Sequence, residues 1–155
     1  MIAWLEGEII QQDDPIIVKT AVGVGYEVYV VGEDFEQIQQ QKSFSAYIYS
    51  HIKEDQVSYF SFKTIASRKL FMHLISVSGV GPKLAMTMMR SRSAAEITRG
   101  IQARDDVLFS GIKGLGKKTV AKILLMLQDR LDPVASIEVV TEHGAVNEDA
   151  RMALL

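Results

Sequence analysis

The sequence predicts an α+β, multidomain chain in which a small five-stranded barrel is followed by an all-helical domain. Three observations carry that reading. Hydrophobic residues alternate in short runs as far as Phe62, and beyond it they recur at helical spacing. A Gly-aliphatic-Gly unit is also written twice in the helical part, 35 residues apart, in "SGVGPKLA" (78–85) and "KGLGKKTV" (113–120). With 155 residues, 48% of them hydrophobic, the chain can bury a core as one domain or as two small ones.

The strands come first. The runs "IAWLEGEII", "PIIVKT", "GYEVYVV", "FSAYIYS" and "QVSYFSF" are rich in β-branched and aromatic residues. Turn signals separate them at Asp13-Asp14-Pro15, at Gly23 to Gly25 and at Lys53 to Gln56. So many strands in so short a segment would expose edges as an open sheet, and closure into a barrel removes those edges. The OB-fold is the expected barrel, and an SH3-like barrel is the alternative that alternation leaves open.

After Phe62 the period changes. Leu70, Phe71, Leu74 and Ile75 share one helical face, and Leu84, Ala85, Met88 and Met89 share another. Ser93 to Glu96 reads as a capping box. Asp105 or Asp106 is placed to cap a short helix over Val107 to Phe109. Val120, Ile123, Leu124 and Leu127 mark a longer helix, which Asp132-Pro133 is expected to end. The domains are therefore read as 1–62 for the barrel and 63–131 for the helices. Residues 132–146, short of aromatics, read as a flexible linker. "NEDARMALL" at 147–155 begins like a capped amphipathic helix and stops, as the start or remnant of a third helical domain in a chain either truncated or vestigial there.

Composition removes several chemistries. The chain has no cysteine, which excludes disulfide scaffolds, thiolate metal sites and thiol nucleophiles. His51, His73 and His143 lie too far apart for metal-ligand spacing, so neither a metal nor another cofactor is expected. No apolar stretch approaches the roughly 18 residues of a spanning helix, and the N-terminus lacks a signal-peptide pattern. A cytoplasmic location is the expectation that follows.

The net charge of −2 conceals a strong division. Residues 1–62 carry 3 Lys/Arg against 10 Asp/Glu, residues 63–130 carry 13 against 4, and residues 131–155 carry 1 against 5. A basic middle between acidic ends is the electrostatic footprint of a nucleic-acid contact confined to one domain, or else a solvated lysine-rich face.

The doubled glycine unit falls in that basic segment and fits the helix-hairpin-helix pattern hxxhxGhGxxx(x)A. The first copy supplies Leu74, Val77, Gly79, Val80, Gly81 and Ala85. The second supplies Phe109, Ile112, Gly114, Leu115 and Gly116, with Ala121 one place late. Two glycines permit a tight turn, the aliphatic residue between them anchors it, and the second helix opens with unpaired N–H groups. Those donors and the positive end of the helix dipole suit a phosphate. Pro82 at the first helical position gives up an N–H that lacks an intrahelical partner anyway. Lys83, Lys117 and Lys118 add mobile positive charge. One such unit alone is most simply a packing turn; two in the basic segment point to a backbone clamp on DNA that ignores sequence.

Rival readings of the glycines are weaker. Gly111 to Lys117 matches GxxxxGK, but Lys118 stands where a Mg²⁺-holding Ser or Thr belongs, and no βαβ series surrounds it. "GVGY" at 23–26 lacks a third glycine and a following helix, so it is a barrel turn. A two-unit helical solenoid would be too short to stack stably. From another functional class, a helix-hairpin-helix fragment of a DNA-repair nuclease or NTPase remains the alternative. In the barrel, "HIKEDQ" puts Glu54 and Asp55 at a hairpin tip, without the partners that a hydrolase would need. Negative charge there would repel phosphates.

These residues resemble the RuvA family, the Holliday-junction-binding subunits of bacterial branch-migration complexes. The resemblance runs through "MIAWLEGEI", "GVGYEV", "HIKEDQ" and "LFMHLISVSGVGPKLAM" to "GLGKKTVAKILLMLQDR", or about Met1 to Arg130. It implies an OB barrel, a tandem helix-hairpin-helix domain, a flexible linker and a third helical domain that engages a motor. It implies binding of four-way junction DNA in recombination and repair by a homotetramer or octamer, with no catalysis of its own. The partners it implies are a RuvB-like ATPase motor and a RuvC-like resolvase. By the same resemblance DNA is gripped at Gly79, Val80, Gly81, Pro82 and Lys83, and at Gly114, Leu115, Gly116, Lys117 and Lys118. Glu54 and Asp55 match an acidic pin at the junction centre. Three departures stand out. Val120-Ala121 replaces the usual Ala-Glu, Ser61 stands for a glycine, and the motor-binding domain is expected to be missing apart from its start at 147–155.

Overall fold

Alternation in the first part of the chain produces five strands: β1 (Trp4–Gln11), β2 (Ile16–Lys19), β3 (Gly25–Val30), β4 (Ser43–Lys53) and β5 (Gln56–Phe62). They close into a barrel in the order β1-β2-β3-β5-β4. All neighbours are antiparallel except β3 and β5, which run parallel with Val28 opposite Tyr59. This is an OB-like barrel, as the sequence leads one to expect. The structure is a computed structural model that describes residues 1–133; the expected terminal element at 147–155, and the linker beyond Pro133, lie outside the described residues. The chain divides into two units, Met1–Lys63 and one beginning at Thr64.

The barrel core is the inward set of each alternating run: Leu5, Ile9, Ile16, Val18, Val28, Val30, Phe44, Ala46 and Ile48. Gly7 continues the inward row between Leu5 and Ile9, and a Cβ there would collide with the Lys19 carbonyl. A missing side chain thus lets β2 close on β1.

One element has no counterpart in the sequence reading. Helix α1 (Phe35–Gln39) lies between β3 and β4. It has no side-chain N-cap bond and no fully buried residue. Phe35 and Ile38 pack partly on the barrel core, and Gln39 Nε2 donates to the carbonyls of Gln12 and Asp13 at 3.2 and 3.1 Å. Tertiary contact holds a helix too short for its own period to be legible.

The second unit contains α2 (Ile65–Ile75), α3 (Pro82–Ser91), α4 (Ala94–Gln102), a 3₁₀ turn over Val107–Phe109, and α5 (Lys117–Leu127). Their buried faces are Leu70, Phe71 and Leu74; Ala85, Met88 and Met89; Ile97 and Ile101; and Val120, Ile123 and Leu127. Ile75, Leu84 and Leu124 flank these faces half-buried. Of the two candidate caps for the 3₁₀ turn, Asp105 makes the bond, accepting from the Val107 N–H at 3.1 Å.

The end of α5 corrects an expectation. The helix stops at Leu127 rather than running to Asp132-Pro133. Leu127 is the last buried residue among those described, and the Arg130 N–H bonds the Leu127 carbonyl at 3.1 Å, an i to i+3 closure that tightens the turn. Gln128 Oε1 accepts from Arg104 Nε at 2.7 Å and from Arg104 Nη2. Arg104 itself has φ +53 just past the end of α4, where Asp105 N–H to Gly100 O (2.9 Å) and Arg104 N–H to Ile101 O (3.2 Å) form a Schellman closure. Among the described residues no helix is long and apolar enough to cross a membrane.

Candidate nucleic-acid interface

Every helix leaves its first N–H groups without intrahelical acceptors, so the question is what satisfies them. For α2 the Thr64 hydroxyl accepts from the Ser67 N–H at 3.1 Å. For α4 the capping box is complete, with Glu96 N–H to Ser93 Oγ at 3.1 Å and Ser93 N–H to Glu96 Oε2 at 2.9 Å. Helices α3 and α5 differ. Their N-caps are Gly81 and Gly116, which have no side chain to offer. Among the described residues, the long helices without a side-chain cap are the two that follow the repeated glycine unit.

The two hairpins correspond residue for residue at the offset of 35 read in the sequence. Gly79 and Gly114 have φ +92 and +84, the left-handed region that glycine enters without a Cβ penalty. The Val80 N–H bonds Val77 O at 3.0 Å, and the Leu115 N–H bonds Ile112 O at 3.2 Å. The first helical bonds are Ala85 N–H to Gly81 O and Val120 N–H to Gly116 O, both 3.0 Å. Ahead of them lie the N–H groups of Lys83 and Leu84 in one hairpin, and of Lys117, Lys118 and Thr119 in the other. Pro82 contributes none.

The same register corrects one assignment. Val120, not Ala121, holds the position of Ala85: Val120 is buried and Ala121 is exposed. The helix tolerates valine at this position, so the motif needs no extra residue. Val77, Val80 and Ile112 are buried anchors, while Leu115 and Pro82 are half-buried or more open. Gly79, Gly81, Gly114 and Gly116 leave open backbone at the turns, and Lys117 and Lys118 are exposed. The hairpins lie near each other: Leu84 Cδ1 is 3.6 Å from where a Cβ on Gly114 would stand. Two residues that sequence reasoning did not single out join this surface. Lys113 is exposed next to Gly114, and Lys122 stands one turn beyond Lys118. Their signal was the excess of cations in the segment.

What this surface can do chemically follows from its parts. Bare N–H groups at a helix N-terminus, open backbone and mobile ammonium groups bind an anionic oxygen cluster such as a phosphate. None of them reads a base edge.

In the first unit, Glu54 and Asp55 are exposed in the turn between β4 and β5, closed by the Lys53–Gln56 pair. Strand β1 pairs with β4 as far as Tyr47, and β3 pairs with β5 only from Tyr59 onward. The pairs His51–Ser58, Ile52–Val57 and Lys53–Gln56 therefore form a two-stranded ribbon that leaves the barrel by about 10 Å at some 3.3 Å per residue.

Residues 1–61 match the family model described as the RuvA N terminal domain, and residues 71–129 match one described as a SAM-like helix-hairpin-helix tandem. The Holliday junction branch migration complex subunit RuvA of Pelobacter propionicus is 31% identical over 96% of this chain and 76% of its own length. That of Christiangramia forsetii is 30% identical over 100% and 81%. That of Geobacter metallireducens is 36% identical over 84% and 66%, so the chain spans about two thirds of that relative. The match to the RuvA N terminal domain model and identity along nearly the whole chain place it together with them: the chain belongs to the RuvA family.

Proposed function

We propose that this chain binds four-way DNA junctions by their structure, not their sequence, as the non-catalytic subunit of a branch-migration complex. The observation that carries the reading is the pair of glycine-capped helix N-termini, alike in backbone geometry, in the basic segment of the chain. Each offers a phosphate unpaired donors and lysine charge, so DNA is held by its backbone and can slide. Gly79, Val80, Gly81, Pro82 and Lys83 form the first clamp, and Gly114, Leu115, Gly116, Lys117 and Lys118 the second. Val80 and Leu115 act from beneath as anchors.

Glu54 and Asp55 serve as an acidic pin. At the end of a projecting ribbon their charge keeps phosphates at a distance and guides strands apart where the arms meet. A homotetramer would present such pins around one centre, and the clamps of its subunits would grip the arms. The relatives are named as subunits of a branch migration complex, which supports an ATP-driven partner for the opened junction.

The test is fluorescence anisotropy with a four-way junction and a linear duplex of the same arm sequences, titrated at two salt concentrations. The reading predicts a strong junction preference whose log-log salt slope is about −0.9 per phosphate neutralised. Equal weak binding to both DNAs would reduce the chain to a generic hairpin domain.

A further inference from the structure

The projecting ribbon carries more than its two carboxylates. Ile52 and Val57 pair directly across it and are 60% and 49% exposed. Directly opposite residues share a face, so the two side chains form one apolar ridge immediately behind the tip. The next pair inward on that face is Ser50 and Tyr59. Ser50 is already buried, its Oγ donating to the Ile2 carbonyl at 2.8 Å. Ile52 and Val57 are thus the first side chains of this face outside the barrel, and no core is left for them to fill. The other face of the ribbon is polar, with His51, Lys53, Gln56 and Ser58.

We infer that the Ile52–Val57 pair is a wedge that packs against nucleobases at the opened branch point, a reading that rests on the junction-binding function proposed above. Charge selects this occupant. Glu54 and Asp55 at the tip turn away the phosphate backbone, so the part of a nucleic acid able to meet the next residue pair is the uncharged base. Apolar side chains inserted beside a base step replace the stacking that the base loses when its partner strand departs. A two-stranded ribbon is also narrow enough to enter the space between separating strands. The carboxylates repel and the apolar ridge holds, so the tip and the ridge act on different parts of the same DNA.

The experiment uses the full chain and a four-way junction with 2-aminopurine next to the crossover. Wild-type binding should raise the 2-aminopurine fluorescence as the base leaves its stack. The double variant Ile52→Thr with Val57→Thr keeps the β-branching that favours the ribbon. Compared at saturation of the junction, it should lose roughly half or more of that rise. The swap Ile52→Val with Val57→Ile, which keeps the apolar surface, should retain it. An undiminished rise in the threonine variant at saturation overturns the wedge, as does a changed oligomeric state by light scattering, which would make the ridge a protein contact. If the wild-type chain shows no junction preference, the functional reading itself fails and the wedge falls with it; a junction preference with no effect of the pair removes the wedge alone.

Discussion

Replacing Gly116 by serine should stabilise the fold and weaken DNA binding together. Gly116 has φ −86 and ψ 165, close to the φ −64 and ψ 157 of Ser93, which caps α4. No atom lies within 4 Å of a Cβ built at Gly116, so serine fits without displacement. Its Oγ would accept from the Thr119 N–H, as Ser93 does from Glu96 at 3.1 Å. Serine in place of glycine at a cap gains a few tenths of a kcal/mol. The smaller conformational freedom of the unfolded chain adds roughly 0.4–1 kcal/mol. A net gain of about 1 kcal/mol raises Tm by about 2–4 °C in a chain of this size. The same bond withdraws a donor from the phosphate. A hydrogen bond to a charged group contributes about 1.5–3 kcal/mol, so junction affinity should fall about tenfold or more. Thermal unfolding followed by circular dichroism, with anisotropy on a four-way junction, reads both quantities. A stabilised variant with unchanged affinity would refute the phosphate site at the start of α5. A destabilised one would refute the cap geometry.

Three other perturbations separate the parts of the molecule. Gly79→Ala and Gly114→Ala place a Cβ at φ +92 and +84, and each should cost about 1–2 kcal/mol in urea denaturation; neutrality would mean that the turns relax freely. Lys117→Glu with Lys118→Glu should weaken junction binding and flatten its salt slope by about 0.9 for each phosphate that is no longer neutralised, whereas an unchanged slope would take these lysines off the DNA. Glu54→Gln with Asp55→Asn should leave thermal stability unchanged and keep or tighten junction binding, while duplex discrimination narrows. A loss of stability would instead make the exposed pair structural.

The strands and most helices are legible because burial follows period: each of the five alternating runs forms a strand, and the apolar helical faces meet the core. Three features are not. Helix α1 is shorter than two turns and depends on Gln39 reaching back to the β1–β2 connection, a contact that no local pattern encodes. The end of α5 is set by where burial stops at Leu127, not by the proline further on. The position equivalent to Ala85 is hidden because the pattern asks for a small residue there and the fold accepts Val120. At the site, the glycine spacing gives away the turns, since positive φ has a residue signature. The open space around Gly81 and Gly116 has none. Neither backbone angle nor packing demands glycine at those caps, and only the three-dimensional surroundings reveal it.

Pro82 makes the two hairpins unequal. Its ring removes one donor from the first helix start, while the second keeps a full set and carries Lys117 in the equivalent place, with Lys113 beside it. A duplex held at both points would be held unevenly. Drawn along its axis, it would part first from the proline-bearing turn and swing about the lysine-rich one, as a rope runs through one guide and pivots on another. Under the proposed clamp reading, the close backbone repeat would carry an asymmetry, with Pro82 on one side and Lys117 and Lys113 on the other.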